Sequence, residues 1–422
     1  MKVLYLNFDR ATPVLGEHDE AARIREFVHA AVDLGHEVVL ACADRGGGNA
    51  PPPACIIEFA ADDSQAIDDA RGKPLAADLP DELAATLRRE LASVAYDRDV
   101  DARVLKRLAA LGFRPDLVYE RHALFHRAGA TIARYFGCPR VLEVDAPLVD
   151  ERRCHRGLYL EQTARTMEAS SLRCADRVIT TSEALRDQVR ASGIDAARIH
   201  VMHAGVEVRR FGLAEAGVRL RAELGLRRGD RLIGAVASIR SPQDATFLLD
   251  VFREIAAQRP SARLLTVGDG PGSAALRERA GRSDCADRIT LVGPVPRAQV
   301  PAWIGTADVM IAPCGNVRDS AFPPFQAMEA VEALASGKPI VAPRLGRFLD
   351  VVDHGRTGLL YEPGDASGCR DAMLDLIDDP ARRRAMGLEA RLQAVDHDWE
   401  RIVRRIIEPA AWSDATRART GS

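Results

Sequence analysis

The chain has 422 residues, 47% of them hydrophobic, with 28% charged and a formal net charge of −3. That length suggests two domains, and the apolar share is enough to bury two cores. Arginines interleaved with acids at near-zero net charge exclude a global basic field of the kind that recruits nucleic acid.

KVLYLNF (2–8) reads as a buried strand, too short for a cleavable signal and stopped by an acid. GEHDEAARIREFVHAAVDLG (16–35) follows as an amphipathic helix, with Ala21, Ile24, Phe27, Val28, Ala31 and Val32 at helical spacing. HEVVLACA then begins a strand, and APPPAC (50–55) with the polar stretch after it reads as a surface excursion. Later strands are LVYE (117–120), RVLEVDA (140–146), RVITTS (177–182) and IHVMHAG (199–205). After a polar segment near Phe211 to Gly229 a second series begins: RLIGAVASI (231–239), ARLLTVGDG (262–270), RITLVGPV (288–295), DVMIAPC (308–314), PIVAP (339–343) and GLLYEPG (358–364). Short apolar strands alternating with helices predict α/β architecture, two doubly wound parallel sheets in succession. Ligands then sit beyond the carboxyl ends of the strands, which places the chemistry in the loops that follow them.

Cys42, Cys55, Cys138, Cys154, Cys174, Cys285, Cys314 and Cys369 are scattered singly, without zinc or redox spacing, and a reducing cytoplasm fits best. No run reaches the ~18 apolar residues that span a bilayer. Peripheral membrane contact stays open, without a continuous basic amphipathic stretch to support it.

GDGP (268–271), ADRITLVGPVPRAQVPAWIGTADVMIAP (286–313) and EALASGKPIVAPRLGRFLDVVDHGRTGLLYEPGD (332–365) resemble the retaining glycosyltransferases of family four. In the amino half PDLVYERHALF (115–125), LEVDAPL (142–148), CADRVITTSEALRDQV (174–189) and HAGVEVRRF (203–211) have counterparts in the same family. The resemblance covers nearly the whole chain. It implies the GT-B fold, two Rossmann-like domains facing across a cleft. Residues 1–210 would bind the acceptor and 211–395 the nucleotide sugar. A last helix at 396–412 would cross back to the first domain, with Trp399 as its anchor.

The resemblance also assigns roles. Counted back from Gly337-Lys338-Pro339, the family's ribose-binding glutamate falls on Glu332; counted forward from Pro-Pro-Phe-Gln (323–326), it falls on Glu329. Positions i and i+3 share a helical face, so either carboxylate suits the ribose hydroxyls. The family's diphosphate-holding arginine and lysine fall on Arg240 and Gln243, the second uncharged. Gly268, Gly270 and Pro271 form a turn on the donor side. Gly16 opens the loop before the first helix, where a second glycine is replaced by Glu17. The catalytic histidine position is Asp145, which can bond a sugar hydroxyl, meet a cationic acceptor or cap a helix. Glu120, Arg121, His122 and His126 follow a neighbouring strand and are read as acceptor-side residues or structural hydrogen-bonders. Arg344 and Arg347 occupy a loop where relatives have small residues, and either restore the charge lost at Gln243 or lie on the surface.

The implied activity is that of a retaining, metal-independent glycosyltransferase without a cofactor. It would move a sugar from a nucleotide diphosphate sugar, such as a UDP-sugar, to a small-molecule, glycan or lipid-linked acceptor. Changes at Asp145, Gln243, 323–325 and Glu17 raise an alternative, a catalytically impaired GT-B protein that binds a nucleotide sugar or assists a partner enzyme. The motifs name neither the acceptor nor an oligomeric state.

Overall fold

The computed structural model describes residues 1–16, 18–60, 80–155, 157–212, 214–236, 239–315 and 327–408. Glu17, the 323–326 loop and the 409–412 end of the expected last helix lie outside the described residues. The chain divides into two compact units, Met1–Met202 joined by the chain from Ile402, and His203–Arg401.

The first unit is built on β1 (Lys2–Asn7), β2 (Glu37–Cys42), β3 (Cys55–Glu58), β4 (Leu117–Arg121), β5 (Arg140–Val144), β6 (Arg177–Thr180) and β7 (Ile199–Val201). They form one sheet in the order β3-β2-β1-β4-β5-β6-β7, every pair parallel. The 50–55 excursion therefore ends in an edge strand. Three prolines extend the backbone without offering N–H groups, and Cys55–Glu58 then pairs with Val39–Cys42. A 31-residue helix, Asp81–Leu111, has no counterpart in the sequence reading. It buries Tyr96, Val100, Val104 and Leu108, one residue per turn.

The second unit carries β8 (Arg231–Val236), β9 (Ala262–Val267), β10 (Ile289–Gly293), β11 (Val309–Ile311), β12 (Ile340–Pro343) and β13 (Gly358–Tyr361). Their order is β10-β9-β8-β11-β12-β13, again with every pair parallel. Period-two alternation sorts these strands onto two cores. Ile233, Ala235, Leu264, Val309, Ile311, Val341 and Leu359 face one. Leu232, Val236, Leu265, Met310, Ala312, Ile340 and Leu360 face the other. A sheet buried on both sides accounts for the continuous apolar runs in the sequence.

The last helix, Trp399–Ile407, starts in the second unit and ends in the first. Trp399 is 3% exposed and lies against Gly205, where a Cβ would come within 2.4 Å of the indole. Among the described residues, no helix is long and apolar enough to cross a membrane.

Candidate functional site

In the second sheet the chain runs outward from β8 through β9 to β10, then returns to the other side of β8 at β11. The β8/β11 junction is thus the topological switch point, where the loops leaving the carboxyl ends diverge and open a crevice. Four of the sequence-derived candidate segments come together there.

Arg240 lies in the loop after β8, directly before a helix, Pro242–Gln258. Ser241 caps that helix by accepting from the Asp244 amide at 3.1 Å, with proline at the first helical position. The cap fixes where Arg240 leaves the backbone. Its Nη2 donates to Glu329 Oε1 at 3.2 Å. Gln243 is exposed on the first helical turn and makes no side-chain contact with this pair. Asp244 Oδ1 instead accepts from the Gly315 amide at 2.8 Å, tying the loop after β11 to the β8 helix. A Cβ on Gly315 would lie 2.4 Å from the Gln243 carbonyl oxygen, so this approach requires glycine.

The helix bearing both glutamates is Met328–Ala335, made almost wholly of strong helix formers. Gly337, at φ +64°, lets the chain leave the helix, and the Arg391 guanidinium donates to the Ala335 carbonyl. Shared helical face does not give shared partners here. Glu329, 12% exposed, reaches Arg240, whereas Glu332, 6% exposed, pairs with Arg297 Nη2 at 2.9 Å. Arg297 follows β10 in the quoted motif GPVPR. The sequence reading gave it no role, because its partner is 35 positions away and appears only through the fold.

Gly268 sits at φ +128°, a conformation only glycine adopts freely, and donates to the Gly293 carbonyl at 2.8 Å. The turn then runs through Gly270 and Pro271, and the Gly272 amide bonds the Ile239 carbonyl at 2.9 Å. The Gly268–Pro271 turn therefore abuts the Arg240 loop. Arg344 and Arg347 diverge. Arg344 is exposed and pairs with Glu362 at 3.1 Å. Arg347 turns inward to 9% exposure, its guanidinium 4.5 Å from the centroid of the Phe348 ring. Its Nε and Nη1 have no hydrogen-bond partner among the described residues. Burial first, then the like charge of Arg240, push its pKa down to about 10, while Glu329 opposes the shift. It remains cationic at neutral pH.

In the first unit, β4 and β5 carry charges into the interior. Arg121 donates through Nε to Asp145 Oδ2 at 2.8 Å and through Nη1 to Asp9 Oδ2 at 3.0 Å and Thr12 Oγ1 at 3.2 Å. Burial opposes the charge on Arg121, but the carboxylates of Asp145 and Asp9 outweigh it and raise its pKa. Asp145, 8% exposed, is thus held by Arg121, which it shares with Asp9. Glu120 does not line an acceptor surface. It is 3% exposed and accepts from Arg140 Nε at 2.6 Å, beneath Gly129. His122 is buried, with Nε2 3.3 Å from Glu168. His126 is a core aromatic between Phe8 and Tyr96, with ring centroids 6.1 and 5.5 Å away, and burial drops its pKa to about 4. Gly16 is buried in the loop after β1, its carbonyl accepting from Arg25 at 2.8 Å and Asn49 at 2.9 Å.

Residues 230–379 match the family Glycosyl transferases group 1, and residues 20–205 match the Glycosyl transferase 4-like domain. The chain belongs to glycosyltransferase family 4. This family 4 chain is 31% identical over 179 residues to D-inositol 3-phosphate glycosyltransferase of Pseudarthrobacter chlorophenolicus, covering 42% of this chain and 40% of that one. It is 30% identical over 308 residues to the enzyme of the same name from Streptomyces avermitilis, covering 68% and 64%. The chain therefore spans less than two thirds of the length of these curated relatives. Among solved structures, HepE of Anabaena in complex with UDP superposes with a TM-score of 0.68 at 18% identity, over 97% of this chain and 100% of that one. At that identity the likeness shows the fold, two Rossmann-like units of the GT-B type.

Proposed function

We propose that this family 4 protein is a glycosyltransferase that takes a sugar from a nucleotide diphosphate sugar held by the second unit. The observation that carries this reading is the Arg240–Glu329 pair at the β8/β11 switch point, bordered by the Gly268–Pro271 turn. A diphosphate leaving group gains negative charge as the glycosidic bond breaks, and a guanidinium fixed beside it lowers that barrier. Glu332 and Glu329 supply acceptors for ribose and sugar hydroxyls. Their arginine partners orient them before the ligand arrives, which reduces the cost of ordering them. UDP or UDP-glucose bound in solved neighbours of the same fold supports a nucleotide sugar as the ligand class.

In this reading the acceptor docks on the first unit, and its hydroxyl attacks from the face that the nucleotide leaves. Configuration is retained, and the departing phosphate takes the proton. Asp145 keeps the loop after β5 in place through Arg121 rather than acting as a free base. Cationic side chains, without a metal, carry the leaving-group charge.

The test is to mix the protein with UDP-, GDP- and dTDP-sugars and measure release of the nucleoside diphosphate, alongside thermal stabilisation by the nucleotide. Release supports the transferase. Stabilisation without release, with every acceptor class supplied, would identify a nucleotide-sugar binder instead.

A further inference from the structure

Four arginines are buried among the described residues: Arg23, Arg121, Arg140 and Arg347. Three of them obey the rule that a charge removed from water needs a carboxylate. Arg23 meets Glu143 at 2.5 Å, Arg121 meets Asp145 at 2.7 Å, and Arg140 meets Glu120 at 2.5 Å. Arg347 has no ion pair among the described residues, and two of its nitrogens find no acceptor there. A protein that neutralises its other buried guanidiniums leaves this one incomplete.

The surroundings say what completes it. The groups whose charge acts on Arg347 are, from strongest to weakest, Arg240, Glu329, the Cys314 thiol and Asp244. Glu329 is engaged by Arg240 at 3.2 Å, and Asp244 spends Oδ1 on the Gly315 amide. Gln243, where the family resemblance placed a lysine, is neutral. The crevice therefore holds one arginine whose charge is cancelled by its own carboxylate and a second whose charge is not. The Phe348 ring supports the guanidinium, while Nε and Nη1 stay buried without an acceptor among the described residues. Planar N–H donors of this kind match phosphate oxygens with charge-assisted bonds.

We propose that Arg347 is the anchor for the diphosphate of the donor, supplying the net positive charge that Arg240 and Gln243 do not, and that Glu329 acts as the built-in counter-ion which the diphosphate displaces from Arg240. This rests on the nucleotide-sugar reading above and deepens it, because it names a residue outside the loop after β8 as the dominant phosphate contact. Arg344, three residues earlier, takes no part, since its guanidinium is committed to Glu362.

Inorganic pyrophosphate and UDP serve as probes, with binding read by calorimetry and by thermal shift on the full chain. Arg347→Met should fold with an unliganded melting temperature equal to or above that of the wild type, because it removes an uncompensated buried charge. Its affinity for pyrophosphate and UDP should fall at least tenfold. Arg347→Lys keeps the charge but loses the planar fork, and should fall between the two. Glu329→Gln should bind pyrophosphate several-fold more tightly than the wild type, the opposite sign. A purely structural Arg347 would give a less stable Arg347→Met and no gain in Glu329→Gln, and that pattern overturns the assignment. Undiminished pyrophosphate and UDP binding by Arg347→Met overturns it too, while leaving the transferase reading intact. A wild type that binds no nucleotide or nucleotide sugar overturns both.

Discussion

Arg240 and Glu329, 89 positions apart in sequence, meet at 3.2 Å across the switch point of the second sheet. One comes from the loop after β8, the other from the first turn of the helix before β12. Arg240→Ala should weaken UDP or GDP binding by about 10-fold or more, in line with about 1.5–3 kcal/mol for a hydrogen bond to a charged group. Titration calorimetry checks this, and unchanged affinity would remove Arg240 from the site.

Glu332 and Arg297 give a separable expectation. Glu332→Gln should weaken nucleotide binding and also cost about 1–3 kcal/mol of stability, because the Arg297 guanidinium, 29% exposed, loses its charged partner. The Arg297→Ala variant should show the same two effects. Urea denaturation together with calorimetry on both variants is the check, and affinity retained in both would leave the pair a structural one.

Gly315→Ala tests the link between the loops. Its Cβ would sit 2.4 Å from the Gln243 carbonyl, a backbone atom that cannot swing aside. Overpacking of this kind costs about 1–3 kcal/mol, so a drop of several degrees in melting temperature is expected, with weakened nucleotide binding as the Asp244–Gly315 bond breaks. A melting curve like that of the wild type would show that the loops are not held together in this way.

The candidate site residues were placed by the family resemblance, and the turns that frame them are local features of the sequence. Gly268, the Ser-Pro start of the β8 helix and the Ser336-Gly337-Lys338-Pro339 helix stop each announce themselves within a few residues. The strands were legible for the same reason, since both sheet faces are buried and their apolar runs are continuous. Which carboxylate meets which arginine was not legible. Glu329 and Glu332 look equivalent on a helical wheel, yet a turn of helix sends one toward β8 and the other toward β10. Likewise Glu120 near the end of β4, and His126 and Asp145 after strands, sit where a site is expected, but their partners Arg140, Tyr96 and Arg121 turn them into interior structure. The edge strand Cys55–Glu58 was hidden by its brevity and its proline-rich approach.

Buried His126 in the first unit sets a pH dependence. Folding holds the His126 pKa at about 4, below its ordinary value of 6.5, so the unfolded chain binds the proton first as pH falls. Stability from this group is complete above pH 6.5 and is lost as pH drops toward 4, by up to about 3 kcal/mol. Urea denaturation across that window should show the loss in the wild type and a smaller slope in His126→Phe, whose ring keeps the contacts with Phe8 and Tyr96. Equal slopes would contradict a neutral buried imidazole.

Asp145→Ala should destabilise the first unit by about 1–3 kcal/mol, because Arg121 loses one of its two carboxylate partners and keeps Asp9. Asp145→Asn should cost less, since an amide still accepts from Arg121. Equal stability of the wild type and both variants would show that Arg121 does not depend on this carboxylate.

A second unit that grips a nucleotide diphosphate sugar and gives up its sugar must also release the nucleotide. The most direct measurement is the release of nucleoside diphosphate when the protein meets a panel of UDP-, GDP- and dTDP-sugars with sugar, glycan and lipid-linked acceptors. The account predicts release from at least one donor, abolished or strongly reduced in Arg240→Ala. Neither release nor binding heat with any donor in the panel would contradict it.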